Sequence, residues 1–217
     1  MDKNKMIKNT KDFVKEKLYG KCSGHDWFHI ERVYNLAKFI GEKENADLFI
    51  VEMTALLHDI DDWKFSDGTE TNTTVTENFL NSIDVSKDDI NKIISIIKTM
   101  SFKGGVVDST QISIEGKVVQ DADRLDAIGA IGIARTFAYG GSKGRPIYDP
   151  SVAPINFESL EQVKNLENHT VNHFYEKLLK LKDLMNTKTA KEIAKKRHEF
   201  MESFLDEFYS EWNFPGK

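Results

Sequence analysis

The sequence predicts an all-α protein, a single helical bundle spanning residues 1–217. Three observations carry that prediction. The chain has only four prolines, and three of them, Pro146, Pro150 and Pro154, fall in one short stretch. Elsewhere apolar residues recur at three- and four-residue spacing, the period of a helix with one buried face. The alternation that a half-buried strand needs is not convincing anywhere; residues 105–114 are the best candidate for one.

The elements follow in order. Residues 3–18 carry Met6, Ile7, Phe13, Val14 and Leu18 on one side of a helix, and the stretch from Gly20 to Gly24 is a loop. Asp26 stands where an N-cap is expected, ahead of Ile30, Val33, Ala37 and Ile40. Ile50, Met53 and Leu57 mark a helix over 46–60, and Val75, Phe79, Leu80 and Ile83 mark another. Ser86-Lys87-Asp88-Asp89 resembles a capping box, with Asp in the place of Glu, and opens a helix containing Ile90, Ile93, Ile94 and Ile97. Segment 112–139 is long and rich in small residues, among them Ala122, Ala127, Gly129, Ala130, Gly132 and Ala134, which allow close helix approach. Two amphipathic helices, about 158–184 and 187–209, complete the bundle and are expected to pack on its core.

Composition narrows the function. The 217 residues include 30 Lys and Arg against 35 Asp and Glu, a net charge of −5. That balance argues against a general nucleic-acid or membrane-surface binder. Cys22 is the only cysteine, so neither an intrachain disulfide nor a cysteine-based metal cluster is expected. The stretch Met1-Asp2-Lys3-Asn4-Lys5 leads into no apolar signal region, and no run approaches ~18 consecutive apolar residues. The expectation is a reduced, cytoplasmic protein.

Chemistry concentrates in a few places. Of the six histidines, His29 continues the apolar stripe of Val33, Leu36 and Ile40, and His58-Asp59 closes the apolar run Thr54-Ala55-Leu56-Leu57. Asp61 and Asp62 follow at once. Asp121, Asp123 and Asp126 lie inside an otherwise apolar helix. A buried carboxylate is costly unless it is paired or binds a metal. Two imidazoles and two carboxylates can hold a divalent cation and leave positions open for water and a substrate oxygen. Each piece alone has an ordinary explanation: a satisfied core histidine, a chance His-Asp dipeptide such as His25-Asp26, or a solvated or capping aspartate. Their order and context make the case.

That order resembles a known family. His29-Ile30-Glu31-Arg32-Val33, then Ala55-Leu56-Leu57-His58-Asp59-Ile60, then Asp121-Ala122-Asp123-Arg124-Leu125 are similar to the HD superfamily of metal-dependent phosphohydrolases. The wider runs 121–132 and 173–185 resemble its YpgQ/YedJ-like branch. The resemblance covers nearly the whole chain. It implies an all-α fold, hydrolysis of phosphoester or phosphoanhydride bonds, and a nucleotide pyrophosphohydrolase activity with Mn²⁺, with Mg²⁺, Co²⁺, Ni²⁺ and Fe²⁺ as alternatives. Carried over residue by residue, it makes His29, His58, Asp59 and Asp123 the metal ligands, with Asp126 and Asp121 as supporting carboxylates behind them. His25 is not expected to be a ligand. Asp62, with Asp61 as competitor, takes the role of the acid that handles a proton or positions the attacking water. No histidine lies between Asp59 and Asp123, whereas two-metal members of the superfamily usually add histidines there, so the resemblance implies one ion.

Basic residues must meet the substrate. Lys64 follows the acidic cluster, and Lys103 sits beside Gly104-Gly105. The long loop 140–156 adds Lys143 and Arg145 among glycines, a combination suited to phosphate. Lys195-Lys196-Arg197 reads as a solvated helix face, and the methionines with Phe200, Phe204, Phe208, Trp212 and Phe214 read as core. The expected reaction is hydrolysis of a nucleoside triphosphate to monophosphate and pyrophosphate. The alternatives are a nucleoside-monophosphate phosphatase, a phosphodiesterase at the same site, or a non-catalytic nucleotide- or metal-sensing module.

Overall fold

The structure, a computed structural model, describes residues 2–20, 26–61, 72–165 and 168–214. Among these it contains ten α-helices and no strand. They are α1 (Lys3–Leu18), α2 (Trp27–Lys43), α3 (Leu48–Leu57), α4 (Thr74–Ser82), α5 (Lys87–Thr99), α6 (Ile114–Asp126), α7 (Gly129–Ser142), α8 (Leu160–Asn165), α9 (Asn172–Glu176) and α10 (Lys188–Trp212). Short 3₁₀ segments lie at Lys103–Gly105 and Leu178–Leu184. The chain divides into two compact units, Met1–Asp123 and Arg124–Lys217, and the division falls inside α6.

In the first unit α2 and α3 pack together, with α1 and α5 against α3. Their caps come from the sequence. The Asp26 carboxylate accepts the His29 N–H at 2.8 Å, and the Asp47 carboxylate accepts that of Phe49 at 2.9 Å. Ser86 Oγ accepts the Asp89 N–H at 3.2 Å and donates to the Asp89 carboxylate at 2.9 Å. Each such cap satisfies a backbone donor that the helix itself leaves unpaired. The core gathers Val14, Leu18, Ile30, Ile50, Met53, Leu56, Leu80, Ile93 and Ile97. Every residue from Phe49 to Leu57 is buried, so α3 is enclosed on all sides.

Residues 105–114 form no strand: Lys103–Gly105 is a 3₁₀ turn, and irregular chain follows as far as α6. No neighbouring strand exists among the described residues to pair with it, and Ile112 is 94% exposed. The segment is held instead by Gln120, whose amide donates to the carbonyls of Met100 at 3.0 Å and Ser109 at 2.7 Å. That bond fixes the middle of α6, one turn before Asp123.

In the second unit α7 packs against α10. The long segment 112–139 is broken here, between α6 and α7. Ile128 is extended and Gly129 takes φ +76°, a left-handed conformation that favours glycine. The expected helix 158–184 is also interrupted: residues 168–171, between α8 and α9, form no helix, and Lys177 leaves helical geometry between α9 and the following 3₁₀ segment. Phe137, Phe174 and Phe204 cluster at centroid distances of 5.9–6.1 Å, with Phe174 and Phe204 stacked and Phe137 set edge-on to Phe204. The tail is only partly core: Phe200, Trp212 and Phe214 are exposed. Arg197 is not a free surface charge either, since its guanidinium donates to the Leu125 carbonyl.

The loop after α7 is anchored. Thr170 N–H donates to Pro146 O at 2.9 Å, Asn172 Nδ2 to Val152 O at 2.9 Å, and Lys180 Nζ to Asn156 Oδ1 at 2.8 Å. Burial, opposed by hydrogen bonds from Ile155 and Asn168, raises the carboxyl of Glu176 above its usual range. The described residues include no helix long and apolar enough to cross a membrane.

Candidate metal centre

Four side chains of the first unit converge. The α2 cap that pins His29 N–H also holds this residue in the first turn, with its ring buried. His58 ends α3 as its C-cap, and Asp59 follows in the turn closed by the Ile60 N–H donating to Leu57 O at 3.0 Å. Asp123 lies in the last turn of α6.

The His29 Nε2 atom stands 3.3 Å from Asp59 Oδ2 and 3.5 Å from Asp123 Oδ1. The corresponding distances from His58 Nε2 are 3.6 and 3.8 Å. Ligand atoms of His29, His58 and Asp59 all lie within 4.8 Å of one another. Asp123 is the most open of the four, its side chain 36% exposed against 1% for His29.

These distances suit a shared cation. Donors held at about 2.0–2.2 Å from one ion stand roughly 3–4 Å apart, whereas a direct N–H···O bond prefers about 2.9 Å. The tautomer agrees. His58 Nδ1 donates to the Ala55 carbonyl at 2.9 Å, which leaves the Nε2 lone pair facing the cluster. His58 Nε2 is buried with no hydrogen-bond partner among the described residues. A buried nitrogen left that way is expensive unless something outside the chain completes it. Two neutral imidazoles and two carboxylates form a donor set that fits a divalent ion.

The other expected residues are distributed as follows. Asp62 and Lys64, like His25 and Cys22, lie outside the described residues. Lys103 heads the 3₁₀ turn Lys103–Gly105. Asp126 lies in the second unit, where its Oδ2 receives Arg135 Nη1 at 2.8 Å. Lys143 and Arg145 also lie there, with Lys143 Nζ 5.7 Å and Arg145 Cζ 5.8 Å from the Tyr139 ring centroid. Asp121 is fully buried.

Asp61 has a task that the sequence did not reveal. Its two carboxylate oxygens accept the N–H groups of Val75 at 3.2 Å and Thr76 at 2.8 Å, capping α4 from fourteen residues away. Local capping rules look only a few residues upstream, so no signal in the sequence marked it. Asp61→Ala is expected to cost about 0.5–2 kcal/mol and to lower the melting temperature by about 2–6 °C. An unchanged thermal melt would show that the cap contributes nothing.

The same residues place the chain among known proteins. The HD domain family matches residues 27–128, which include all four converging side chains. The uncharacterized protein YpgQ of Bacillus subtilis (strain 168) is 43% identical over 217 residues, covering 100% of this chain and 97% of its own. This chain belongs to the HD superfamily. Among solved structures, an HD-superfamily hydrolase from Bacillus thuringiensis is 46% identical over 98% of this HD protein and 100% of its own length, with a TM-score of 0.76. The structure of Bacillus subtilis YpgQ in complex with ADP is 42% identical, covering 97% and 98%, with a TM-score of 0.75. HD domains bind divalent metal ions, and the fold is that of a metal-dependent phosphohydrolase.

Proposed function

We propose that this HD protein hydrolyses nucleoside triphosphates to monophosphate and pyrophosphate. The observation that carries the reading is the convergence of buried His29, His58 and Asp59 with the more open Asp123, with His58 Nε2 turned into the cluster. These four would hold the ion, Mn²⁺ in the first instance. Bound there, a divalent ion supplies Lewis-acid polarisation of a phosphoryl oxygen and makes water a stronger acid. The choice of a nucleotide is supported by YpgQ, which has been solved with ADP.

The chain's own groups then have separate tasks. Asp59 and Asp123 offset the charge of a dication. The Ala55 carbonyl keeps His58 in the tautomer a ligand needs. Asp61 is engaged at α4 through both oxygens, which favours Asp62 as the base. Water attacks the α-phosphorus in line. The new O–P bond forms as the α–β bridging P–O bond breaks, pyrophosphate leaves, and the water's proton passes to Asp62. Lys64, Lys103, Lys143 and Arg145 are the cations offered to the phosphates.

Metal-stripped protein should be incubated with nucleoside tri-, di- and monophosphates and with Mn²⁺, Mg²⁺, Co²⁺ or Ni²⁺, and the products separated by chromatography. Pyrophosphate released from triphosphates, only with added ion, is the expected result. Orthophosphate released from monophosphates would overturn the substrate assignment in favour of a phosphatase. Binding without turnover would make the protein a sensor.

A further inference from the structure

The helix that ends in His58 carries one buried charge that the reaction does not use. Glu52 lies in α3 amid residues that are otherwise apolar or small, and it is 6% exposed. Its Oε2 accepts the hydroxyl of Tyr34, on α2. Its Oε1 stands 3.6 Å from Lys38 Nζ. Lys11 Nζ covers the Tyr34 ring at 3.8 Å from its centroid. Burial first, then the bond and charge of Glu52, raise the Tyr34 hydroxyl above the usual phenol range, so it remains a donor at neutral pH.

A polar pair inside apolar packing is a weak device for stability, because a hydrophobic pair of similar volume often does as well. Its attested use is to fix register. Register is what α3 lacks. A helix with one apolar face is oriented by burying that face, but α3 is buried all round, so sliding or turning it exposes nothing new to water. A directional bond to α2 removes that freedom.

The position of the bond matters for the metal. Tyr34 is five residues after His29, and Glu52 is six before His58. The helices are joined by a short connection and pack along their lengths. The bond therefore lies about 8–9 Å along each helix from a metal-ligating ring. We propose that Tyr34 and Glu52 are positioning residues for the metal centre, their hydrogen bond setting α2 against α3 so that His29 and His58 stand at ligating distance. This rests on the metal-site reading above and is independent of the substrate.

The test uses Co²⁺ as the probe, read by its visible absorption and by calorimetric titration of the metal-stripped full chain. Tyr34→Phe removes one oxygen. It is expected to weaken Co²⁺ binding about tenfold, within the range seen when groups that orient ligands are lost, and to alter the cobalt spectrum. Glu52→Gln keeps an oxygen for the Tyr34 hydroxyl and is expected to bind Co²⁺ as the wild type does. A Tyr34→Phe protein with a lower melting temperature but wild-type affinity and spectrum would make the pair merely structural and overturn the proposal. So would a Glu52→Gln protein that loses affinity as Tyr34→Phe does, because charge and not the bond would then be at work. Should Tyr34→Phe fail to fold, Glu52→Ala, which removes the acceptor of the same bond, takes its place: weakened Co²⁺ binding with an altered spectrum is expected, and wild-type affinity and spectrum would overturn the proposal. Wild-type protein that takes up no Co²⁺ would overturn the metal site as well, and so separates the two failures.

Discussion

His58→Ala leaves a folded, helical protein whose hydrolytic activity falls by about 10³-fold or more. The size follows from what a catalytic ion contributes, several kcal/mol of charge stabilisation, at about 1.4 kcal/mol per decade of rate. The fold should survive because the ring makes one hydrogen bond to the chain, from Nδ1 to the Ala55 carbonyl. A second readout needs no substrate. An ion at a hundred times its dissociation constant stabilises the folded form by about 2.7 kcal/mol, or about 5–10 °C in melting temperature. Wild-type protein should show that rise on addition of Mn²⁺, and His58→Ala should not. A variant that kept full activity would remove His58 from the ligand set.

Gly132→Ala should be the most destabilising small change in the second unit. A Cβ at Gly132 would lie 2.2 Å from the Ala127 carbonyl oxygen and 2.5 Å from its carbon. Both are backbone atoms of the tight connection that reverses at Gly129, so no side chain can swing away. Relief requires α7 to move from the end of α6. Overpacking of that kind costs about 2–4 kcal/mol, a loss of about 5–15 °C for a chain of this size. Gly141 provides the control. It lies in the same helix, and a Cβ there meets nothing within 4 Å, so Gly141→Ala should be neutral or stabilising by up to about 1 kcal/mol. Equal melting temperatures for the two variants would show that the connection yields easily.

The two glycines also show what the sequence could and could not reveal. Small residues in 112–139 did announce close approach. They did not announce that the chain breaks at Gly129, because a left-handed glycine and a helical one are the same letter. Period and capping residues located α2 and α5 well, since Asp26 and Ser86 act within three residues of themselves. The interruption at Lys177 has no local breaker, since neither glycine nor proline stands within 173–184. In the candidate centre, the histidines and aspartates stood out because charged or ligating groups in apolar helices demand a reason. The roles of Asp61 and Glu52 rest on contacts distant in sequence. One caps a helix fourteen residues on, and the other finds its partner across two helices. Contacts of that kind leave no spacing to read.

The direction of the helices at the centre has an electrostatic consequence. The His58 side chain comes from the C-cap of α3, the end of a helix that carries partial negative charge. The helix α2, which begins at the centre, already has its positive end covered by the Asp26 carboxylate. These helix ends and the carboxylates of Asp59 and Asp123 together favour a cation at the centre. On the proposed reading, loading is ordered: the ion enters first, and it offsets the carboxylate charge that the nucleotide's phosphates would otherwise meet.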